Sequence, residues 1–376
     1  MEVAHEAQKN LSSTQNNHLY RFFSKLKQWA GADEKQNFRD FKEDFSLESF
    51  TQCTDFNPIE IYAYYIGRCI NTMENGVFLK YYLSYPIKYE KHQAEKIRES
   101  FEKGLKKSLP RHVFDDEKTA KMFKVELKAS EPCAYAISAL KSYGFFKAAK
   151  LDKPVYYGMF DFGGGTTDFD FGKWESTNPK FAYKMTHFSN GGDKFLGGEN
   201  LLELLAFEAY AQNFQTLKEK GIVIAKPNYD RIDTQRFGSF IQNSSGVRLN
   251  LQTIASSLRP FLENLNADIV EKIEENEEFE IDKFEKNLKS KLFDRNGGEK
   301  EENEFKVDYK ELLNLLKGKI DEGVANFFAG FSKVMAENID NQCRAFHIFL
   351  GGNASKSVLV KQAFENAKEK QLKAYK

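Results

Sequence analysis

Asp161-Phe162-Gly163-Gly164-Gly165-Thr166-Thr167-Asp168 stands between two strand-like runs, Val155-Tyr156-Tyr157-Gly158-Met159-Phe160 and Phe169-Asp170-Phe171-Gly172. The order reads as strand, glycine turn, strand. Three adjacent glycines permit backbone conformations and close approaches that side chains would obstruct, so several N–H groups of the turn are free to meet one phosphate. Asp161 is placed to hold a hydrated magnesium ion, Thr166 and Thr167 to offer hydroxyl and amide donors, and Asp168 to brace the hairpin or share the metal. Taken alone, the same octet also fits a glycine-rich hairpin that binds nothing.

Outward from this turn, strand and helix signals alternate. Asn57-Pro58-Ile59-Glu60 carries an N-cap residue, a proline at the first helical position and a glutamate three residues after the cap, which predicts a helix to about residue 73. An apolar run over 77–86 predicts a mostly buried strand stopped by Pro86, and 91–109 predicts a helix. A short strand at 125–127 precedes Ser130-Glu131-Pro132, a second helix start. After the hairpin, 199–213 is helical, 283–291 reads with its surroundings as a solvated charged helix face, and 309–339 is a long helix. Phe346-His347-Ile348-Phe349-Leu350 is a strand ending in Gly351-Gly352, and a last helix begins near 358. The alternation predicts an α/β fold. Residues 1–17 read as a frayed terminus, and the aromatics over 20–50 as helical packing surface.

Composition bounds the function. The 376 residues suffice for two or three domains, and the 41% hydrophobic and 29% charged fractions are those of a folding chain. Lys plus Arg and Asp plus Glu number 55 each, so no net field draws nucleic acid or an anionic membrane. The four cysteines lack metal-ligand spacing, and the first residues show no signal-peptide pattern. These features predict a cytoplasmic protein with reduced thiols, no nucleic-acid partner and no membrane partner. The 35 phenylalanines imply core filling and no particular chemistry.

Two weaker signals accompany the glycine turn. Glu131, at a helix start before proline, is placed to orient water in phosphoryl transfer, although acidic residues in a first turn commonly only complement the helix dipole. Gly351 and Gly352 would let a nucleoside lie on bare backbone, with Asn353, Ser355 or Lys356 at its edge.

Taken in order, the segments 81–89, 130–140, 161–168, 192–200 and 350–356 resemble the nucleotide-binding domain of DnaK-type heat-shock chaperones, within the actin-like ATPase superfamily. The octet resembles that family's second phosphate motif, Glu131-Pro132-Cys133-Ala134 its first connecting motif, Leu196-Gly197-Gly198-Glu199-Asn200 the entry to its upper lobe, and Gly351-Gly352 its adenosine motif. The resemblance spans about 57–367, thins over 221–305, and is absent before 57.

It implies ribonuclease-H-like lobes with mixed sheets flanked by helices, ATP or ADP with Mg2+ as cofactors, and a client-binding domain or co-chaperone as partner. The implied organisation is an N-terminal segment at 1–56, the remainder of a first lobe at 57–150, a second lobe core at 151–198 and 306–376, and an inserted, mostly helical subdomain at 199–305. By the same resemblance Asp161 serves the metal, Gly163, Gly164, Gly165, Thr166, Thr167 and Gly198 hold phosphate, Glu131 positions water, and Gly351, Gly352, Asn353 and Lys356 face adenosine. An upper-lobe helix around Lys289 would stack on adenine.

The sequence also departs from the family. It has no upstream Asp-x-Gly-x-Thr phosphate hairpin and no lysine matching the catalytic one; Ser355 or Lys356 stands where an arginine is expected. It stops before the family's closing strand and helix, as a fragment or a diverged relative would. Three readings remain open: an ATPase, a non-hydrolysing pseudo-ATPase, and a nucleotide-responsive scaffold or actin-like filament protein. A sugar or acetate kinase fits less well, for want of an acceptor segment.

Overall fold

The computed structural model describes residues 57–85, 89–145, 153–177, 183–229, 232–242, 245–281, 284, 288–339, 343 and 345–374. Residues 1–56, with the aromatic stretch read as packing surface, and Pro86 lie outside these. The chain is mixed α/β and divides into two compact units, 1–134 and 135–376.

In the first unit, α1 (Pro58–Met73) begins where the sequence placed it: the Asn57 side chain accepts from the amides of Ile59 and Glu60 at 3.0 and 3.1 Å. Strand β1 (Lys80–Tyr85) leads to α2 (Lys91–Ser108), α3 (Glu117–Met122) and β2 (Lys124–Ser130). β1 and β2 pair in parallel, Tyr81 opposite Val125. The strand at 80–85 is not mostly buried as its apolar run suggests. Tyr81 enters a small core with Ala63, Leu105 and Val125, while Tyr82 faces the opposite way and is 63% exposed. Alternate residues of a strand take opposite faces, and among the described residues only one face is packed.

Helix α4 (Glu131–Ser142) crosses from one unit into the next. The second unit is built on a four-stranded sheet of β3 (Val155–Phe162), β4 (Thr167–Ser176), β5 (Tyr183–Asp193) and a strand from far along the chain, β8 (Phe346–Gly351), in the order β5-β4-β3-β8. β3 and β4 form the antiparallel hairpin read from the sequence, Val155 opposite Trp174 and Phe162 opposite Thr167. β8 joins β3 in parallel.

Between β5 and β8 the chain forms α5 (Gly198–Gln212), α6 (Phe214–Glu219), α7 (Ser245–Asn264), α8 (Ala267–Glu274), the hairpin β6 (Leu288–Phe293) and β7 (Glu299–Phe305), and α9 (Tyr309–Glu337); α10 (Val358–Ala374) follows β8. The stretch read as a charged helix face is therefore strand at 288–293. Its Leu288, Ser290 and Leu292 are buried and its Lys289 and Lys291 exposed, a period of two that no helix presents.

β3 is buried throughout because both faces of the sheet are covered. On one face Tyr157, Met159, Trp174 and Phe349 pack with Ala136 and Leu140 of α4. On the other, Phe160, Phe169 and Phe171 pack with Phe327 of α9 and Phe364 of α10, their rings in edge-on or tilted contact. Part of the phenylalanine abundance lies here.

A buried carboxylate sits within the α4 face. Asp170 is 1% exposed, accepts from the Tyr157 hydroxyl at 2.8 Å, and lies 3.1 Å from His187 Nδ1. Removing a donor from a buried carboxylate exposes its desolvation cost, so Tyr157→Phe is expected to destabilise the second unit by about 2 kcal/mol. Urea denaturation checks this, and an unchanged midpoint would show that the hydroxyl contributes nothing.

Candidate functional site

The glycine turn closes with Gly163 N–H donating to Thr166 O at 3.0 Å. What holds it is the start of α5. Asp193 first caps the approach, its carboxylate accepting from the amides of Phe195 and Leu196 at 2.8 and 3.2 Å. Gly197 then passes so close that a Cβ there would lie 2.4 Å from the carbonyl carbon of Gly165. Three hydrogen bonds follow in sequence: Gly198 N–H to Gly163 O at 3.0 Å, Glu199 N–H to Gly164 O at 2.7 Å, and Asn200 Nδ2 to Gly165 O at 2.7 Å.

Those bonds orient the turn. In a planar trans peptide the C=O of one residue and the N–H of the next point in opposite directions. With the carbonyls of Gly163, Gly164 and Gly165 all drawn toward α5, the amides of Gly164, Gly165 and Thr166 all project away from it. Among the described residues no protein acceptor takes those three amides, and Gly164 is exposed. Three like-directed donors on an open turn form an anion cradle.

The threonine hydroxyls differ from the sequence reading. Thr166 Oγ1 donates to Asp168 Oδ2 at 3.0 Å, and Thr167 Oγ1 donates inward to Leu196 O at 2.6 Å. Both are engaged within the protein, because alternation sends Thr167 to the phenylalanine face; the amide of Thr166 stays available. Asp161 and Asp168 are cross-strand partners in register, 7% and 4% exposed, so their side chains share the α4 face.

Among the described residues no group of three or more acidic, histidine or cysteine side chains could hold a metal. Magnesium, however, is commonly held by one or two carboxylates together with waters and phosphate oxygens. The paired aspartates beside the cradle fit that donor set.

The turn after β8 reaches the same end of the sheet. Gly352 has φ +79°, and a Cβ on it would lie 2.1 Å from Phe162 O and 2.8 Å from Asp161 Oδ1. A Cβ on Gly198 would lie 3.5 Å from Ala354 Cβ. Ser355 is buried and its hydroxyl returns to Gly351 O, whereas Asn353 and Lys356 are exposed. Segments distant along the chain, those around 161–168, 192–200 and 350–356, are thus gathered at one place.

Of two further expected residues, one stands on a different element from that expected. Glu131 opens α4, at the helix start read from the sequence. Lys289 lies on β6, exposed, opposite Glu304 and not on a helix; among the described residues no hydrogen bond or ion pair joins it to the turn.

The cation beside the turn is instead Arg259 of α7, which the sequence reading missed. Its Nη1 and Nη2 each donate to the Glu199 carboxylate at 2.7 Å, and Nη1 lies 3.3 Å from Glu263. Glu199 itself is against the turn, its Cγ 3.6 Å from the position of a Cβ on Gly164. The hydrogen bonds that Glu199 accepts, above all, hold the Arg259 guanidinium above its usual range. The i, i+4 spacing to Glu263 was visible in the sequence; the pairing across 60 residues was not.

No family model matches the chain, and no curated protein matches it.

Proposed function

We propose that the second unit binds a nucleoside di- or triphosphate, in the manner of the DnaK-type, actin-like ATPases that the sequence resembles, and that nucleotide occupancy sets its conformation for a partner. One observation carries this reading: the amides of Gly164, Gly165 and Thr166 are aimed together, away from α5, by three hydrogen bonds to the opposite ends of their peptide groups. Phosphate oxygens accept from these amides. Gly351 and Gly352 offer bare backbone to the nucleoside, with Asn353 and Lys356 at its exposed edge. Asp161 and Asp168 would hold hydrated magnesium, which when bound screens the charge of the polyphosphate. The setting we propose is cytoplasmic, with a client-binding domain or co-chaperone as the partner that reads the nucleotide state.

Binding does not require hydrolysis. The turn amides and Gly351-Gly352 serve binding alone, and the resemblance leaves the orientation of water to Glu131. A non-hydrolysing scaffold or filament protein therefore stands as the second reading.

Isothermal titration with ADP and ATP plus magnesium tests the first. Saturable binding is expected, and Asp161→Ala should weaken the magnesium-dependent part by about tenfold or more. No heat at millimolar nucleotide would overturn the reading. Phosphate release from bound ATP separates an ATPase from the scaffold, which binds and does not turn over.

A further inference from the structure

Glu199 is engaged at both ends. Its backbone N–H holds Gly164 O at 2.7 Å, and its carboxylate grips Arg259 through two bonds of 2.7 Å. Arg259 immediately precedes Pro260, inside the 20-residue helix α7. Proline has no N–H to give to the carbonyl four residues back, so the helix is weakest at this point. Side chains support it there: Arg259 reaches Glu263, and Asn264 Nδ2 donates to Pro260 O at 2.8 Å.

We infer that Glu199 is a positioning residue that passes occupancy of the glycine turn to α7 through Arg259. The inference rests on the nucleotide reading above. The peptide group joining Gly164 to Gly165 presents its C=O to Glu199 and its N–H to the open side of the turn. A phosphate oxygen accepting from that N–H polarises the peptide and strengthens the bond its carbonyl receives from Glu199. Glu199 is then held more firmly, the Arg259 fork loses freedom, and the proline-weakened turn of α7 opens less often. Because α7 also packs on α5 and β6, the whole inserted segment feels whether the turn is filled. Coupling is reciprocal: whatever steadies α7 also favours the anion.

Hydrogen exchange of the full chain, read on peptides covering 245–264, tests this with ADP and magnesium as the probe. In the wild type, saturating ADP should slow exchange there by about fivefold or more, the lower end of ordinary couplings. Glu199→Gln keeps the backbone bond and loses the charged fork. It should bind ADP within about threefold of the wild type by titration and slow α7 exchange by less than about twofold. Glu199→Asp, which restores the charge, should recover part of the slowing, and Glu263→Gln should leave it intact.

Undiminished slowing in Glu199→Gln would overturn the inference, as would loss of ADP binding in that variant while Trp174 fluorescence still reports a folded second unit, since Glu199 would then be a ligand contact. If the wild type itself binds no ADP, the titration reports that separately and both the nucleotide reading and this coupling fall. Binding without any change in α7 overturns the coupling alone.

Discussion

Gly352→Val is expected to destabilise the second unit by about 3 kcal/mol or more, combining a left-handed backbone unsuited to a β-branched residue with an overpacked contact. At φ +79° the new Cβ would lie 2.1 Å from Phe162 O and 2.4 Å from its carbonyl carbon. Both atoms belong to β3, which is paired on each side and has no room to yield. Because the same Cβ would approach Asp161 Oδ1, the substitution also disturbs the proposed metal side chain, and nucleotide binding should fall with stability. Gly198→Ala is the control: its Cβ meets Ala354 Cβ at 3.5 Å and Gly163 O at 3.9 Å, both ordinary contacts, and it should remain close to wild type. Urea titrations following Trp174 fluorescence in a Trp29→Phe background measure both. A wild-type midpoint for Gly352→Val would mean that the turn after β8 does not lie against β3.

Phe327→Ala should cost about 4 kcal/mol, within the usual span for emptying a buried aromatic site. Phe327 is fully buried on α9, and its ring lies 4.9 to 5.8 Å from those of Phe160, Phe169, Phe171, Phe328 and Phe364. The neighbours do not readily swing in to fill the space, because each is also held by at least one other ring of the same cluster. The melting temperature is expected to fall by about 10 °C, given the scaling for a unit of roughly this size. A drop of only a degree or two would show that the face between the sheet and α9 is loosely packed. Phe327→Leu, which keeps most of the volume, should recover more than half of the loss.

The candidate site was partly legible from residues alone. Three glycines between two apolar runs announce a hairpin, and the cross-strand register of Asp161 with Asp168 follows from its length. Over 288–291 the helical expectation fails for an identifiable reason: the stretch is rich in charge, yet Leu288, Ser290 and Leu292 alternate with Lys289 and Lys291 as a strand requires. Thr167 illustrates a different limit. Its hydroxyl looks available in the sequence, but strand alternation turns it inward to Leu196 O, a partner 29 residues away.

By itself the sequence determined the local elements: the Asn57 cap and α1, the β3–β4 hairpin with its glycine turn, and the long helix α9, each specified by neighbours a few residues apart. Only the tertiary structure decided which way the glycine amides point and which cation stands beside them. Those depend on α5 drawing three carbonyls to one side and on Arg259 reaching Glu199 across 60 residues. Such pairings form only when packing brings distant segments together, and no periodicity along the chain records them.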